Sequence, residues 1–300
     1  MSAPIDWLAR YGIPEHRFVT LIQRALEEDA PLGDITTRVC IPPYLRAQGI
    51  LRAKTAGVLA GVELFIRTLD IAGGNVRATF VLEDGTLLSP GQTVVILEGN
   101  AHGLLLGERL ALNLVQRLSG IATCTRRIVD AVRPIPVRIL DTRKTTPLWR
   151  WAEKYAVRVG GGHNHRMSLS DGVLIKDNHI ALVGGIRAIA EHWQRVHPMI
   201  PLAQAEIEVR SIEELEEALH LGFRRFLLDN MRVEDVRRAV ELARSVSEDT
   251  WLEVSGGIDV HNVRAYAETG VNAISIGALT HSAPALDMHF KLSPHSIQGP

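Results

Sequence analysis

From about Ala131 onward, short runs of aliphatic residues alternate with longer amphipathic segments, the pattern that predicts a parallel sheet covered by helices. The strand-like runs are Val137 to Asp141, Val173 to Lys176, Ala205 to Val209, Arg225 to Asp229, Trp251 to Ser255 and Ala273 to Gly277. Start and stop signals mark the helices between them. Thr146 followed by Pro147 reads as an N-cap with proline at the first helical position, and Leu148, Trp151, Ala152 and Tyr155 then recur at helical spacing. Ser211 with Glu214 reads as a capping box, with Leu215, Ala218 and Leu219 on one face and Gly222 as the stop. A complete (β/α)8 barrel would show eight strands; six are visible, so an incomplete barrel is expected.

The upstream texture is different. Between Gly49 and Gly99, short runs such as GILRAK, GVLAG, RATFVL and TVVILEG are separated by glycine and by Pro90-Gly91, which reads as α+β. The segment Glu108 to Val132 connects the two parts as one long helical sequence. Leu110, Leu114 and Leu118 form an apolar stripe along it, expected to pack, and Arg109, Asn113 and Gln116 form a polar one. A polar line on an otherwise apolar helix is either solvated or aimed into a site.

Composition narrows the class. With 300 residues, 46% hydrophobic and 22% charged, the chain is an ordinary globular sequence with room for two modest domains or one large barrel. The start, MSAPIDWLARYGIPEH, carries an acid and lacks the basic segment and apolar stretch of a secretory signal, and no later window is apolar for long enough to span a bilayer. Cys40 and Cys124 are far apart and in no metal-binding spacing, so both are expected to be packing thiols in a cytoplasmic protein. The 33 Lys and Arg against 34 Asp and Glu give no basic surface for nucleic acid. Positive charge is instead local. From Arg138 to His179 the chain sets Arg143, Lys144, His165, Arg166 and Lys176 around short apolar runs, which points to a pocket for an anionic substrate at the strand ends of a barrel.

Each predicted strand ends near a residue with chemical capability: Arg143 and Lys144, then Lys176 and Asp177, Glu208, Asp229, Ser255 and Gly277. Buried unpaired charge costs several kcal/mol, so such a series is expected at a functional face. EVSGGI and ISIGALTHS place small residues where backbone N–H groups can approach an anion, and barrels often hold phosphate after their last strands. Glu208 and Asp229 suit a hard divalent cation completed by substrate oxygens, or else a salt bridge to Lys144 or Lys176. His163, His165 and His179 lack the helical HxxxH arrangement of a zinc site, and no tightly bound transition metal is expected. Two readings from other classes are a barrel aldolase using Lys144 or Lys176 as a Schiff-base nucleophile, and a non-enzymatic binding protein on the same fold.

The motifs DTRKTTP, GGGHNHR, SLSDGVLIKDNH, EIEV, LLDN, EVSGGI and SIGALTHSAPALD, following ERLALNLVQRLSGIAT, together resemble the quinolinate phosphoribosyltransferase family, also called nicotinate-nucleotide pyrophosphorylase (carboxylating). The likeness is dense from Glu108 to Asp287 and looser before, where EEDAPLGDITT and AGVLAGVE still fit. It implies an N-terminal α/β-sandwich domain on an incomplete, six- to seven-stranded β/α barrel, with boundaries expected at 1–115, 116–285 and a C-terminal segment 286–300 returning to the N-terminal domain. It implies a pentosyltransferase of NAD biosynthesis that joins quinolinate to phosphoribosyl pyrophosphate with Mg2+, giving nicotinate mononucleotide, pyrophosphate and CO2, without an organic cofactor. By resemblance Arg109, Arg143, His165, Arg166 and Lys176 surround quinolinate. Lys144, Glu208 and Asp229 lie near the ribose and metal. Lys144, Lys176, Ser255, Gly256, Gly277 and His281 hold the phosphoribosyl pyrophosphate. A homodimer is implied as well, Arg109 entering the neighbouring subunit's site, with no nucleic-acid or membrane partner. The nearest alternative is a related phosphoribosyltransferase acting on another pyridine or pyrimidine carboxylate.

Overall fold

The computed structural model describes residues 12–294; the reading of the first residues as lacking a secretory signal, and the last six residues of the expected C-terminal segment, lie outside them. The chain divides into two compact units. The first comprises the described residues of Met1–Arg126, Thr146–Gly161 and Ser282–Pro300, and the second comprises Arg127–Thr145 and Gly162–His281.

In the first unit, helices α1 (Glu15–Asp29) and α2 (Ile35–Cys40) precede strand β1 (Arg46–Ala53). Then come β2 (Gly57–Val58), α3 (Val62–Leu69), β3 (Arg77–Val81), β4 (Leu87–Leu88), β5 (Thr93–Asn100) and the long helix α4 (Ala101–Val132). Helix α5 (Arg150–Val159) and the last strand, β12 (Met288–Pro294), complete it. An antiparallel sheet runs in the order β12-β1-β5-β3. Burial along β1 alternates residue by residue, as a sheet with one covered face requires. Leu51, Val95, Leu97, Phe65, Leu104, Val115 and Phe290 form its core, with the Phe65 and Phe290 rings edge to face at 5.3 Å. Gly120 sits inside α4, where glycine normally weakens a helix by about 0.5 to 1 kcal/mol; any side chain there would run into the Pro284 carbonyl. Along α4, Leu118 is buried and Leu110 and Leu114 are half-buried, while Arg109 and Asn113 are exposed.

In the second unit six parallel strands lie in the order β6-β11-β10-β9-β8-β7. They are β6 (Arg138–Leu140), β7 (Leu174–Ile175), β8 (Glu206–Val209), β9 (Arg225–Asp229), β10 (Trp251–Ser255) and β11 (Ala273–Ser275). Helices α6 (Asp177–Val183), α7 (Ile186–Val196), α8 (Ile212–Leu221), α9 (Val233–Val246), α10 (Val263–Ala267) and α11 (Ala278–His281) intervene. A further parallel bridge from Leu140 to His163 extends the sheet beyond β6. Among the described residues no pairing joins this edge to β7, so the barrel is incomplete, as expected.

All the predicted strands are present, and several are shorter where the chain leaves the sheet at Asp141, Lys176 and Gly277. The α8 signals hold: Ser211 Oγ accepts from the Glu214 N–H at 3.2 Å, and Gly222 ends the helix with φ of 103°. The Glu214 carboxylate, however, accepts from the Arg210 N–H. The predicted start at Thr146-Pro147 is corrected, since α5 begins only at Arg150. Thr146 donates both its N–H and its hydroxyl to the buried Glu153, and Leu148 is left-handed at φ of 68°, so helical geometry cannot begin before it. Cys40 is exposed at the end of α2, against the packing role expected of it, and Cys124 is half-buried. Among the described residues no helix is long and apolar enough to cross a membrane.

Candidate active site

Side chains two residues apart on a strand share a face, and in the second unit one face of β8, β9, β10 and β11 is polar at its C-terminal end. Glu206 and Glu208 share a face of β8, Glu253 and Ser255 one of β10, and Leu227 and Asp229 one of β9. The register aligns Asp229, Ser255, Ser275 and Leu140 as one row, and Glu208, Leu227, Glu253 and Ala273 as the row below. Above the first row opens a cavity of about 740 Å³. Arg143, Lys144, His165, Arg166, Lys176, Glu208, Asp229, Ser255, Gly256, Gly277 and His281 all line it. Arg109, carried by the first unit, is not among the lining residues.

The cationic side is built around Asp141, which is fully buried. One carboxylate oxygen accepts from the His165 N–H at 2.9 Å and the other from the Asn164 amide, so the loop after the glycine triplet is pinned to the end of β6. Arg166 follows directly. Burial, and then the Arg143 charge beside it, pull its guanidinium below the usual arginine range, while Glu206 and Asp171 pull the other way. Two cations held together against repulsion form a site that an anion stabilises.

The acidic side is paired. Lys176 Nζ lies 2.8 Å from Glu208 Oε2, the ion pair foreseen as an alternative to a metal. Arg210, just past β8, lies 2.6 Å from Asp177 and 3.7 Å from both Glu208 and Asp229. Ser255 Oγ donates to Asp229 Oδ1 at 2.9 Å and Asn230 Nδ2 to Asp229 Oδ2 at 2.7 Å, so the serine foreseen as a phosphate contact also orients a carboxylate. The glycines follow the strands as expected. Gly256 has φ of 101° and lies so close to Asn230 that a Cβ would collide with its amide. Gly277 lies under the Lys144 stem and beside the His281 ring.

Sequence reasoning missed four residues here: Asp141, Arg210, Glu206 and Glu253. The last two sit below the rim, and Glu253 Oε1 and Glu206 Oε2 each lie 3.5 Å from His165 Nε2. Burial, then the Glu206 charge, push the Glu253 carboxyl up to about 7. The available signal for Glu206 was Glu-x-Glu in EIEV, which places it on one face with Glu208 in a strand buried on both sides.

Comparison with known proteins bears on both units. Residues 121–291 match the quinolinate phosphoribosyl transferase C-terminal domain and residues 34–119 the N-terminal domain of the same family. A nicotinate-nucleotide pyrophosphorylase (carboxylating) from Mycobacterium leprae is 42% identical over 90% of this chain and 95% of its own length. A mitochondrial quinolinate phosphoribosyltransferase (decarboxylating) from Nicotiana glauca is 36% identical over 93% of this chain and 83% of its own. The crystal structure of NadC from Streptococcus pyogenes superposes with a TM-score of 0.86 at 37% identity, covering 95% of this chain and 99% of that one.

Proposed function

The chain belongs to the quinolinate phosphoribosyltransferase family and carries out its decarboxylating phosphoribosyl transfer in de novo NAD biosynthesis, and from that premise we propose how its residues divide the work. Quinolinate carries two adjacent carboxylates. Arg143, Arg166, His165 and Lys176 bind them and leave the ring nitrogen facing the sugar, arginine supplying the bidentate geometry. Lys144 and His281, over the Gly277 turn, hold the phosphates with Ser255 and Gly256. As pyrophosphate departs, positive charge develops on the ribose, and Glu208 and Asp229 stabilise it. Quaternising the ring nitrogen then makes it an electron sink for loss of the adjacent carboxylate as CO2.

Glu208 and Asp229 also fit Mg2+. They offer hard oxygen donors from neighbouring strands to one cavity, and Mg2+ takes one or two carboxylates while keeping positions for substrate oxygens. When bound it would neutralise the departing pyrophosphate.

We propose a homodimer in which Arg109 completes the partner's site. Supporting this, Arg109 is exposed on α4. The protein is proposed to act in the cytoplasm.

The observation that carries this substrate assignment is the pairing of Arg143 with Arg166, more cationic charge than one carboxylate needs. With phosphoribosyl pyrophosphate and Mg2+, quinolinate is expected to be consumed with equal release of CO2 and pyrophosphate, and nicotinate to be left untouched. Comparable turnover of nicotinate would favour the alternative, a phosphoribosyltransferase for another pyridine carboxylate.

A further inference from the structure

The decarboxylating reaction consumes a proton. When the bond from the ring carbon to its carboxylate breaks, CO2 leaves and the electron pair remains on carbon, beside the quaternised nitrogen. That carbon becomes product only on gaining a proton. None of the cationic or phosphate-binding roles above names its source.

The layer below the rim holds a candidate. His165, Glu206 and Glu253 bring a ring nitrogen and two carboxylate oxygens within 4.8 Å of one another. Glu206 and Glu253 are 6% and 2% exposed, and Oε1 of each is buried without a hydrogen-bond partner. Burial, and then the Glu206 charge beside it, favour the protonated form of the Glu253 carboxyl. At 3.5 Å from each carboxylate, His165 Nε2 makes a tight hydrogen bond to neither. The groups acting on Glu253 are Glu206 from β8, His165 from the loop, Ser275 from β11 and Arg225 from β9; Arg138 from β6 and Arg166 from the loop line a cavity with it.

The cluster also stands between two spaces. A second cavity of about 500 Å³ is lined by Glu206, Arg138, Arg225 and Trp251. His165, Arg166, Leu174 and Glu253 line both it and the substrate cavity. Glu253 is therefore open to the second cavity as well as to the first.

Resting on the functional reading above, we propose that Glu253 stores the proton that His165 delivers to the ring carbon vacated by CO2, and that the rear cavity is where the store refills. The pair left on carbon takes the proton from His165 Nε2. Nε2 takes one from the Glu253 carboxyl, and the resulting carboxylate takes one from water in the rear cavity. Burial, and then the neighbouring Glu206, keep the proton on Glu253 between turnovers.

Glu253 is loaded below about 7 and empties as pH rises through that value, so proton delivery is fast on the acid side and slows on the alkaline side. The test is a single turnover with quinolinate, phosphoribosyl pyrophosphate and Mg2+, following pyrophosphate and nicotinate mononucleotide separately on both sides of neutrality. In the wild type, mononucleotide formation is expected to slow above neutrality while pyrophosphate release does not. Glu253→Gln keeps the shape and removes the proton. It is expected to retain the pyrophosphate burst, slow mononucleotide formation roughly tenfold or more, and lose the pH dependence, with Glu253→Asp restoring part of both. Mononucleotide formation flat with pH in the wild type would overturn the proposal, without any variant needing to fold. So would equal slowing of both products in Glu253→Gln, or a metal ion bound tightly at the cluster, which leaves no transferable proton. Absence of both products from the wild type would instead overturn the functional reading, and the relay with it.

Discussion

The four-stranded sheet of the first unit and the six-stranded sheet of the second use the same two-residue period for opposite ends. Along β1 the covered positions are Ala47, Gly49, Leu51 and Ala53, and they feed an apolar core. Along β8 and β10 one covered face carries Glu206, Glu208 and Glu253. Burying apolar area stabilises by about 25 cal/mol per Å², whereas a buried carboxylate contributes little or opposes folding unless it is well paired. The first face therefore accounts for stability. The second is explained by what it does to a ligand.

The largest expected effect comes from Arg109, which on the proposed shared site would break this division by placing a binding cation on the first unit. Arg109→Ala and Lys144→Ala are each expected to be nearly inactive. Refolded together in equal amounts, half the dimers are mixed and each mixed dimer keeps one intact site of two, so activity should return to roughly a quarter of wild type. A dead mixture, with mixed dimers demonstrated, would place Arg109 in its own chain's site. Next is Leu51→Ala, fully buried in the first core, expected to lower unfolding free energy by about 2 to 5 kcal/mol; denaturant titration reads this, and quinolinate affinity in the folded protein should not move. Arg143→Ala or Arg166→Ala reverses that pattern. Each removes charged hydrogen bonds worth about 1.5 to 3 kcal/mol, so quinolinate affinity by calorimetry should weaken roughly 10- to 100-fold with stability little changed.

Why the sequence reveals one face better than the other follows from the same contrast. Strands β9 and β10 were legible to the residue because RFLLD and WLEVS are short apolar runs bounded by turns. The rim residues were legible because charge at the end of such a run falls where a β/α barrel carries its chemistry. Glu206 and Glu253 were not, because the inward side of a strand is set by neighbours that pair only in the fold. Asp141 was missed because its partners, the His165 N–H and the Asn164 amide, come from a loop more than twenty residues away in sequence. The false helix start at Thr146 has the same origin: its local capping pattern was sound, but Glu153 satisfies the threonine from within the helix itself. Exposure of Cys40 likewise depends on where α2 packs, which composition does not encode.

The central claim, that the charged inner face serves chemistry and not the fold, is tested most directly in the double variant Glu208→Gln with Asp229→Asn. Turnover of quinolinate and the thermal midpoint are measured on the same preparation. Both changes keep side-chain shape and remove buried or half-buried negative charge, and Lys176 remains half-exposed to water. The predicted result is a fall in turnover of about 100- to 1,000-fold with a midpoint within about 4 °C of wild type. A collapse of the midpoint with turnover per folded molecule intact would show that these carboxylates hold the barrel together, and would contradict the account.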